Sequence, residues 1–383
     1  MICPRCKNQD PKYFYTFNNT SYCRKCIHIG LKNETISNTV KKVNLNTDFK
    51  LDYQLTPLQE KLSNELLNRY KKHQNTILKA VCGAGKTEIT YALIKYALNS
   101  GHNVCFTTPR KELVIELAKR FESQFTNVTI TCVYGGHTTK TDGQFIICTT
   151  HQLYRYPNFF DLLILDEYDA FPYANNEVLQ AFLKNSIKGN YVYMSATLLK
   201  TPDLSMTKRY HGYPLDIPKC YISNTLLMYI IAIKLILKFK KENKPVLIFV
   251  PTIKLTNTAY RYFNVLGIKT KPVSSRTKNI HMLINDLKSG KLDALITTTI
   301  LERGITISNI QVIILYGDNR IYETATLIQI CGRVGRKANF PTGSISIFTP
   351  YKTKAIKECI ETIKKDNVWS VLMKLIEFLV SII

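Results

Sequence analysis

Acidic residues are scarce in this chain of 383 residues: 28 Asp and Glu stand against 52 Lys and Arg, a formal net charge of +24. So one-sided a charge repels itself and calls for a polyanion or an anionic membrane to offset it, nucleic acid first among them. Long apolar runs are also missing. Leu226 to Leu237 carries Lys234, and Val368 to Ile383 carries Lys374 and Glu377. Both are too short to span a bilayer. They are expected to form buried or amphipathic helices, the second with a face that a membrane surface or a partner could meet. No charged-then-apolar leader follows Met1, so no secretion signal is expected. Short internal repeats are absent. Disorder is excluded by a 45% hydrophobic and 21% charged composition. At roughly 150 residues per domain, the length allows two to three domains.

Eleven cysteines are present, seven of them scattered, as expected for reduced thiols in the cytosol. The other four form two C-x2-C pairs, Cys3/Cys6 and Cys23/Cys26, sixteen residues apart. That is zinc-ribbon spacing: each pair puts two thiolates on a tight turn, and two turns close a tetrahedron around Zn²⁺. Four protein ligands leave no open position, so the zinc would be structural. It would hold a segment without its own core by roughly 10–16 kcal/mol. Arg5, Arg24, Lys25 and the aromatics Tyr13, Phe14, Tyr15, Phe17 and Tyr22 surround the ligands. Such a set suits the phosphates and base faces of a single strand. Equally, the aromatics could simply pack the knuckle.

Residues 31–50 are polar and read as a linker. From Leu51, short apolar runs alternate with longer amphipathic stretches, the pattern of strand–helix units and parallel sheets. Strands are expected at Thr76–Val81, Val104–Thr107, Phe145–Thr149, Leu162–Asp166 and Tyr191–Met194. A second set is expected at Val246–Val250, Ala294–Thr298, Val312–Tyr316 and Ser344–Phe348. Between them lies Leu198–Ser223, with three prolines. The expected division is therefore a zinc knuckle with linker (1–50), a first α/β lobe (51–203) and a second (204–383).

The strand at Thr76–Val81 runs into Cys82-Gly83-Ala84-Gly85-Lys86-Thr87, a phosphate loop. Glycines let backbone N–H groups approach phosphate oxygens, Lys86 can reach the outer phosphates, and Thr87 can hold Mg²⁺. Leu162–Asp169 is an apolar strand ending in acids. Asp166 is expected to hold Mg²⁺ and Glu167 to polarise the attacking water of ATP hydrolysis. Gln329–Arg336 carries Arg333 and Arg336, three apart. On a helix they would share a face, and such arginines can act on a γ-phosphate.

These blocks resemble the superfamily 2 helicases. Ala80–Thr87 resembles motif I, Asp166–Asp169 motif II, Ser195-Ala196-Thr197 motif III, Thr297–Gly304 motif V and Gln329–Arg336 motif VI. Leu55–Gln59 resembles the upstream glutamine motif, which implies that Gln59 reads adenine. The resemblance implies two RecA-like lobes of α/β class with ATP between them. Gly83, Gly85, Lys86, Thr87, Asp166 and Gly304 would then line the nucleotide, and Ser195 and Thr197 would couple the acids to the strand channel. Arg110, Thr150, Thr252 and Thr298 are candidates for phosphate contacts, which position a strand without reading its sequence.

The finer resemblance is to the late competence ComFA family, which joins a four-cysteine zinc site to such a motor. It is carried by the cysteines, by Asp169-Ala170-Phe171-Pro172 and by Leu301-Glu302-Arg303-Gly304. Tyr168 and Thr306 stand where DEAD-box RNA helicases have Ala and Asp. What the resemblance implies is a cytoplasmic ATPase pulling transforming DNA inward as a single strand. It would work at the inner face of the membrane beside a DNA channel and a ComFC-like partner, with homo-oligomerisation open. Two other readings stand beside it: a replication-restart or repair helicase, and a zinc-dependent nucleic-acid adaptor using ATP as a switch.

Overall fold

A computed structural model describes residues 1–17, 20–29, 43–169, 172–197, 201–274, 277, 279–299 and 307–380. Most of the polar stretch read as a linker lies outside the described residues. The chain divides into two compact units, Met1–Ala80 with Gly85–Ser205, and Val81–Ala84 with Met206–Ile383. The division passes twice through the phosphate loop. The four N-terminal cysteines belong to the first unit.

The first unit opens with an antiparallel hairpin, β1 (Phe14–Phe17) and β2 (Thr20–Cys23). After it come β3 (Asp48–Phe49), α1 (Pro57–Lys71), β4 (Thr76–Ala80), α2 (Tyr91–Asn99), β5 (Val104–Thr108) and α3 (Lys111–Gln124). Then follow β6 (Phe125–Thr126), β7 (Ile130–Val133), β8 (Phe145–Thr149), β9 (Phe160–Asp166), α4 (Glu177–Ser186), β10 (Ile187–Ser195) and β11 (Leu204–Met206). Seven strands form a sheet in the order β11-β4-β10-β9-β5-β8-β7. The pairs from β4 to β7 are parallel. All five residues of β5 and of β8 are buried. That is why these strands read as unbroken apolar runs: helices cover both faces of such a sheet.

The second unit holds β12 (Lys219–Ile222), α5 (Thr225–Lys241), β13 (Val246–Phe249), α6 (Ile253–Val265), β14 (Thr270–Val273) and α7 (Ile280–Lys288). It continues with β15 (Ala294–Thr297), β16 (Gln311–Ile314), α8 (Thr324–Cys331), β17 (Ile345–Thr349) and α9 (Lys354–Val380). Its six strands are parallel throughout, in the order β12-β17-β16-β13-β15-β14. Among the described residues, no helix is long and apolar enough to cross a membrane.

The segment expected to hold the boundary, Leu198–Ser223, contains the division at Ser205 and Met206, and it also supplies β11, an edge strand of the first sheet, and β12, an edge strand of the second. One expectation is corrected: Arg333 and Arg336 do not lie on a helix. Helix α8 ends at Cys331, and both arginines stand on the turn after it. Gly332 caps the helix, and three residues on Gly335 (φ +68°) takes the left-handed conformation and re-aims the chain.

Candidate nucleotide site and zinc centre

In the first sheet β4, β10 and β9 are neighbours. Ser195 pairs with Lys79 and Met194 with Asp166, so the carboxyl ends of the three strands lie side by side. Ligands of open parallel sheets bind outside such ends. There the phosphate loop leaves β4, the acids leave β9, and Ser195 ends β10.

Gly83 and Gly85 hold φ +80° and +84°, a region in which a side chain is strained. A Cβ on Gly85 would also come within 2.3 Å of Gln59 Nε2. Gln59 is therefore packed against the loop, 2% exposed. Its position is fixed by the capping box of α1. Thr56 N and Thr56 Oγ1 donate to Gln59 Oε1 (2.9 and 3.0 Å), and Gln59 N donates back to Thr56 Oγ1.

Lys86 Nζ lies 3.5 Å from Asp166 Oδ1, with both side chains largely buried. The same oxygen accepts the N–H of Glu167 at 2.9 Å. Glu167 holds φ +63°, a left-handed backbone uncommon for a non-glycine residue and a form of strain concentrated at functional sites. The chain turns sharply there, and Tyr168 N donates to the Met194 carbonyl while its ring stacks on Tyr193 at 4.9 Å. Thr87, also buried, follows Lys86 at the start of the next helical turn.

Acids and β10 are joined again one step further on. Thr197 Oγ1 donates to Asp169 Oδ2, and Thr197 N donates to Ser195 Oγ. Asp169 was not singled out in the sequence as a site residue. The bond, between segments far apart in the chain, ties the last residue of motif II to motif III.

The candidates for strand contact fall into two pairs. In the first unit Thr108 pairs with Thr149, so Arg110 and Thr150 leave adjacent strands together. Thr150 is fully buried, and Arg110 is half-buried. In the second unit Phe249 pairs with Thr297, which sets Thr252 and Thr298 on neighbouring exits. Thr252 is exposed, and its hydroxyl caps α6 by accepting from Leu255 N. Gly304, with the rest of Ile300–Thr306, lies outside the described residues. Arg333 is buried, and Arg336 is half-buried with its Nε donating to the Gly332 carbonyl at 3.2 Å.

The sulfur atoms of Cys3, Cys6, Cys23 and Cys26 all lie within 4.8 Å of one another, and all four residues are buried. The distances Cys3–Cys26 and Cys6–Cys23 are both 3.7 Å. A zinc tetrahedron with bonds of about 2.3 Å has sulfur–sulfur edges of about 3.8 Å. The donor set therefore fits a Zn²⁺ ion.

This cluster packs into the first unit's core with Leu153, Tyr154, Phe182 and Leu183. Arg5 lies over the Tyr154 ring at 4.3 Å, its carbonyl accepts from Asn185 Nδ2, and Lys25 pairs with Glu177 at 2.7 Å. The structure thus divides the aromatics that the sequence left undivided. Tyr13 and Phe14 pack inward, while Tyr15 and Phe17 are 41% and 60% exposed. Arg24 covers the Tyr15 ring, which also meets Tyr22.

Comparison with known proteins bears on the fold and the family. Residues 52–200 match the family described as type III restriction enzyme, res subunit, and residues 227–338 match the helicase conserved C-terminal domain. S. cerevisiae Dbp5, solved bound to RNA and ADP BeF3, shares the fold with a TM-score of 0.56 and 17% identity, covering 82% of this chain and 88% of that one. Competence protein ComFA of Bacillus subtilis is 34% identical over 394 residues, spanning 95% of this chain and 85% of the relative. ComFA of Streptococcus pneumoniae is 34% identical over 396 residues, 96% and 90% of the two chains. Built on two RecA-like lobes of the superfamily 2 helicase type, the chain belongs to the ComFA family of competence proteins.

Proposed function

We propose that the protein is an ATP-driven translocase that draws transforming DNA into the cytoplasm as a single strand. The observation that carries the reading is the meeting of Lys86, beyond β4, with Asp166, at the end of β9, on the same oxygen that takes the Glu167 N–H, in a chain of this family. In this reading Lys86 and the N–H groups of the glycine loop hold the β- and γ-phosphates. Thr87 and Asp166 hold Mg²⁺, which neutralises phosphate charge when bound. Glu167 orients the attacking water and takes its proton, and Arg333 and Arg336 offset the charge that develops on the γ-phosphate. Gln59, seated beside Gly85, is proposed to read the base. Gly304 completes the nucleotide set as a proposal from its motif alone.

Loss of the γ-phosphate changes which state the lobes favour, because the two states bind ATP and products with different affinity. Asp169, Thr197 and Ser195 link the acids to the β10 exit, a route by which hydrolysis can reach the strand. Arg110, Thr150, Thr252 and Thr298 are proposed to meet phosphates. With a +24 charge behind such contacts, binding should ignore sequence and weaken steeply with salt. Residence at the inner membrane face, a ComFC-like partner and self-association belong to the same proposal.

ATPase rate measured side by side with single-stranded DNA, duplex DNA and RNA tests it. Stimulation should be strongest with single-stranded DNA; equal or greater stimulation by RNA would refute the substrate. A second expectation concerns the metal. Cys23→Ser should lower bound zinc below one equivalent and weaken single-strand binding severalfold, since the exposed Tyr15, Phe17 and Arg24 face depends on the cluster beneath it. Metal content and DNA affinity equal to those of the parent protein would contradict both the zinc and its role.

A further inference from the structure

The turn that carries Arg333 and Arg336 is held by three consecutive side chains from an unrelated part of the second unit. Arg209 is 2% exposed. Its Nη1 donates to the carbonyls of Val334 and Gly335, both at 2.7 Å, and its Nη2 to that of Gly332 at 3.4 Å. Its Nε donates to the Cys82 carbonyl at 3.2 Å, in the loop segment that belongs to this unit. Tyr210 Oη donates to the Arg336 carbonyl and accepts from Ala338 N, each at 3.2 Å. His211 Nε2 lies 2.9 Å from the Gly335 carbonyl while its Nδ1 accepts from Tyr213 N, so Nε2 is the protonated nitrogen.

Every backbone carbonyl from Gly332 to Arg336 except that of Arg333 is thereby met by one of these side chains. A planar guanidinium gathers three carbonyls of the turn that follows α8, a task for which its rigid fork of donors is suited and a lysine's point charge is not. A buried arginine whose hydrogen bonds go to carbonyls is costly to build, even with the Asp216 carboxylate near enough to offset part of its charge. Its reward is geometric: it fixes the direction in which Arg336 leaves the turn.

We infer that Arg209, with Tyr210 and His211, is a positioning element that aims the Arg336 side chain for ATP turnover. The inference rests on the arginine role proposed above. A positioning residue acts through its client, so its loss should lower kcat and leave KM for ATP alone. A misplacement of about 1 Å can cost on the order of 10²-fold.

The test is a double-mutant cycle on the full-length protein, with single-stranded DNA saturating. Arg209→Gln should lower kcat by about 10-fold or more with KM within about twofold of the parent. Added to Arg336→Ala, it should lower kcat no further, because the group it aims is already gone. Unchanged kcat in Arg209→Gln, or a loss that adds fully to that of Arg336→Ala, overturns the inference. Should Arg209→Gln fail to fold by circular dichroism and thermal melting, Tyr210→Phe decides. Tyr210 is 39% exposed and its loss removes only the two hydroxyl bonds. A kcat loss present in Tyr210→Phe alone and absent in the Arg336→Ala background supports the inference; no loss in either background sinks it. Normal turnover in Arg336→Ala itself would instead refute the arginine role, a result readable separately.

Discussion

Arg336→Ala is expected to cut DNA-stimulated ATP turnover by about 10³-fold or more while nucleotide binding stays near that of the parent. The size follows from what such an arginine does. It meets charge that grows on the transferred phosphoryl group only in the transition state, so its removal raises the barrier and scarcely touches the ground state. The side chain is half-buried, and its turn is secured from outside by Arg209, Tyr210 and His211. Alanine at 336 leaves those backbone bonds in place, so a lost fold is not the expected cause. Steady-state kcat, beside the dissociation constant of a fluorescent ATP analogue, checks both halves. A variant that turns over within a few-fold of the parent would remove Arg336 from the chemistry.

Glu167→Gln should bind ATP as well as the parent and hydrolyse it about 10²–10⁴-fold more slowly, the usual worth of a placed general base. Glutamine keeps the shape and the hydrogen-bonding oxygen but cannot take a proton. The backbone at 167 stands at φ +63°, and glutamine is no more strained there than glutamate. The neighbouring Lys86–Asp166 contact does not involve the Glu167 side chain, so binding should persist. A single-turnover experiment separates the steps: ATP should be captured and then held. Rapid hydrolysis in that trap would move the base elsewhere.

The apolar runs of the sequence mark every interior strand of both sheets and none of the four edge strands, β7, β11, β12 and β14. The reason is physical. An interior parallel strand buried on both faces is written as a run of Val, Ile, Leu and Phe, as in β13 and in the Leu162–Leu165 stretch of β9. An edge strand is short and half-covered, and it tolerates what interior strands exclude: β14 holds Pro272. The candidate nucleotide groups were legible because phosphate loops and paired acids need fixed residue types at fixed local spacing. The Asp169–Thr197 bond and the Arg209 network were not: the first joins two motifs whose separation in the chain says nothing of their contact, and the second joins a turn to residues outside any motif. The motif identifies Arg333 and Arg336 but does not show that α8 ends at Cys331 and that both lie beyond it, since nothing in the letters from Gln329 onward marks where the helix gives way to a turn.

The strand order carries a consequence for biosynthesis. β4, which launches the phosphate loop, has β10 on one side and β11 on the other, and both are made long after it. As the ribosome delivers the chain, β4 waits without either hydrogen-bonding neighbour until the final strands of that sheet have emerged. The pairing is distant in sequence and slow to form. ATP can therefore have no seat on a nascent chain that stops short of β10, and a premature stop there would release a species with bare strand edges open to aggregation.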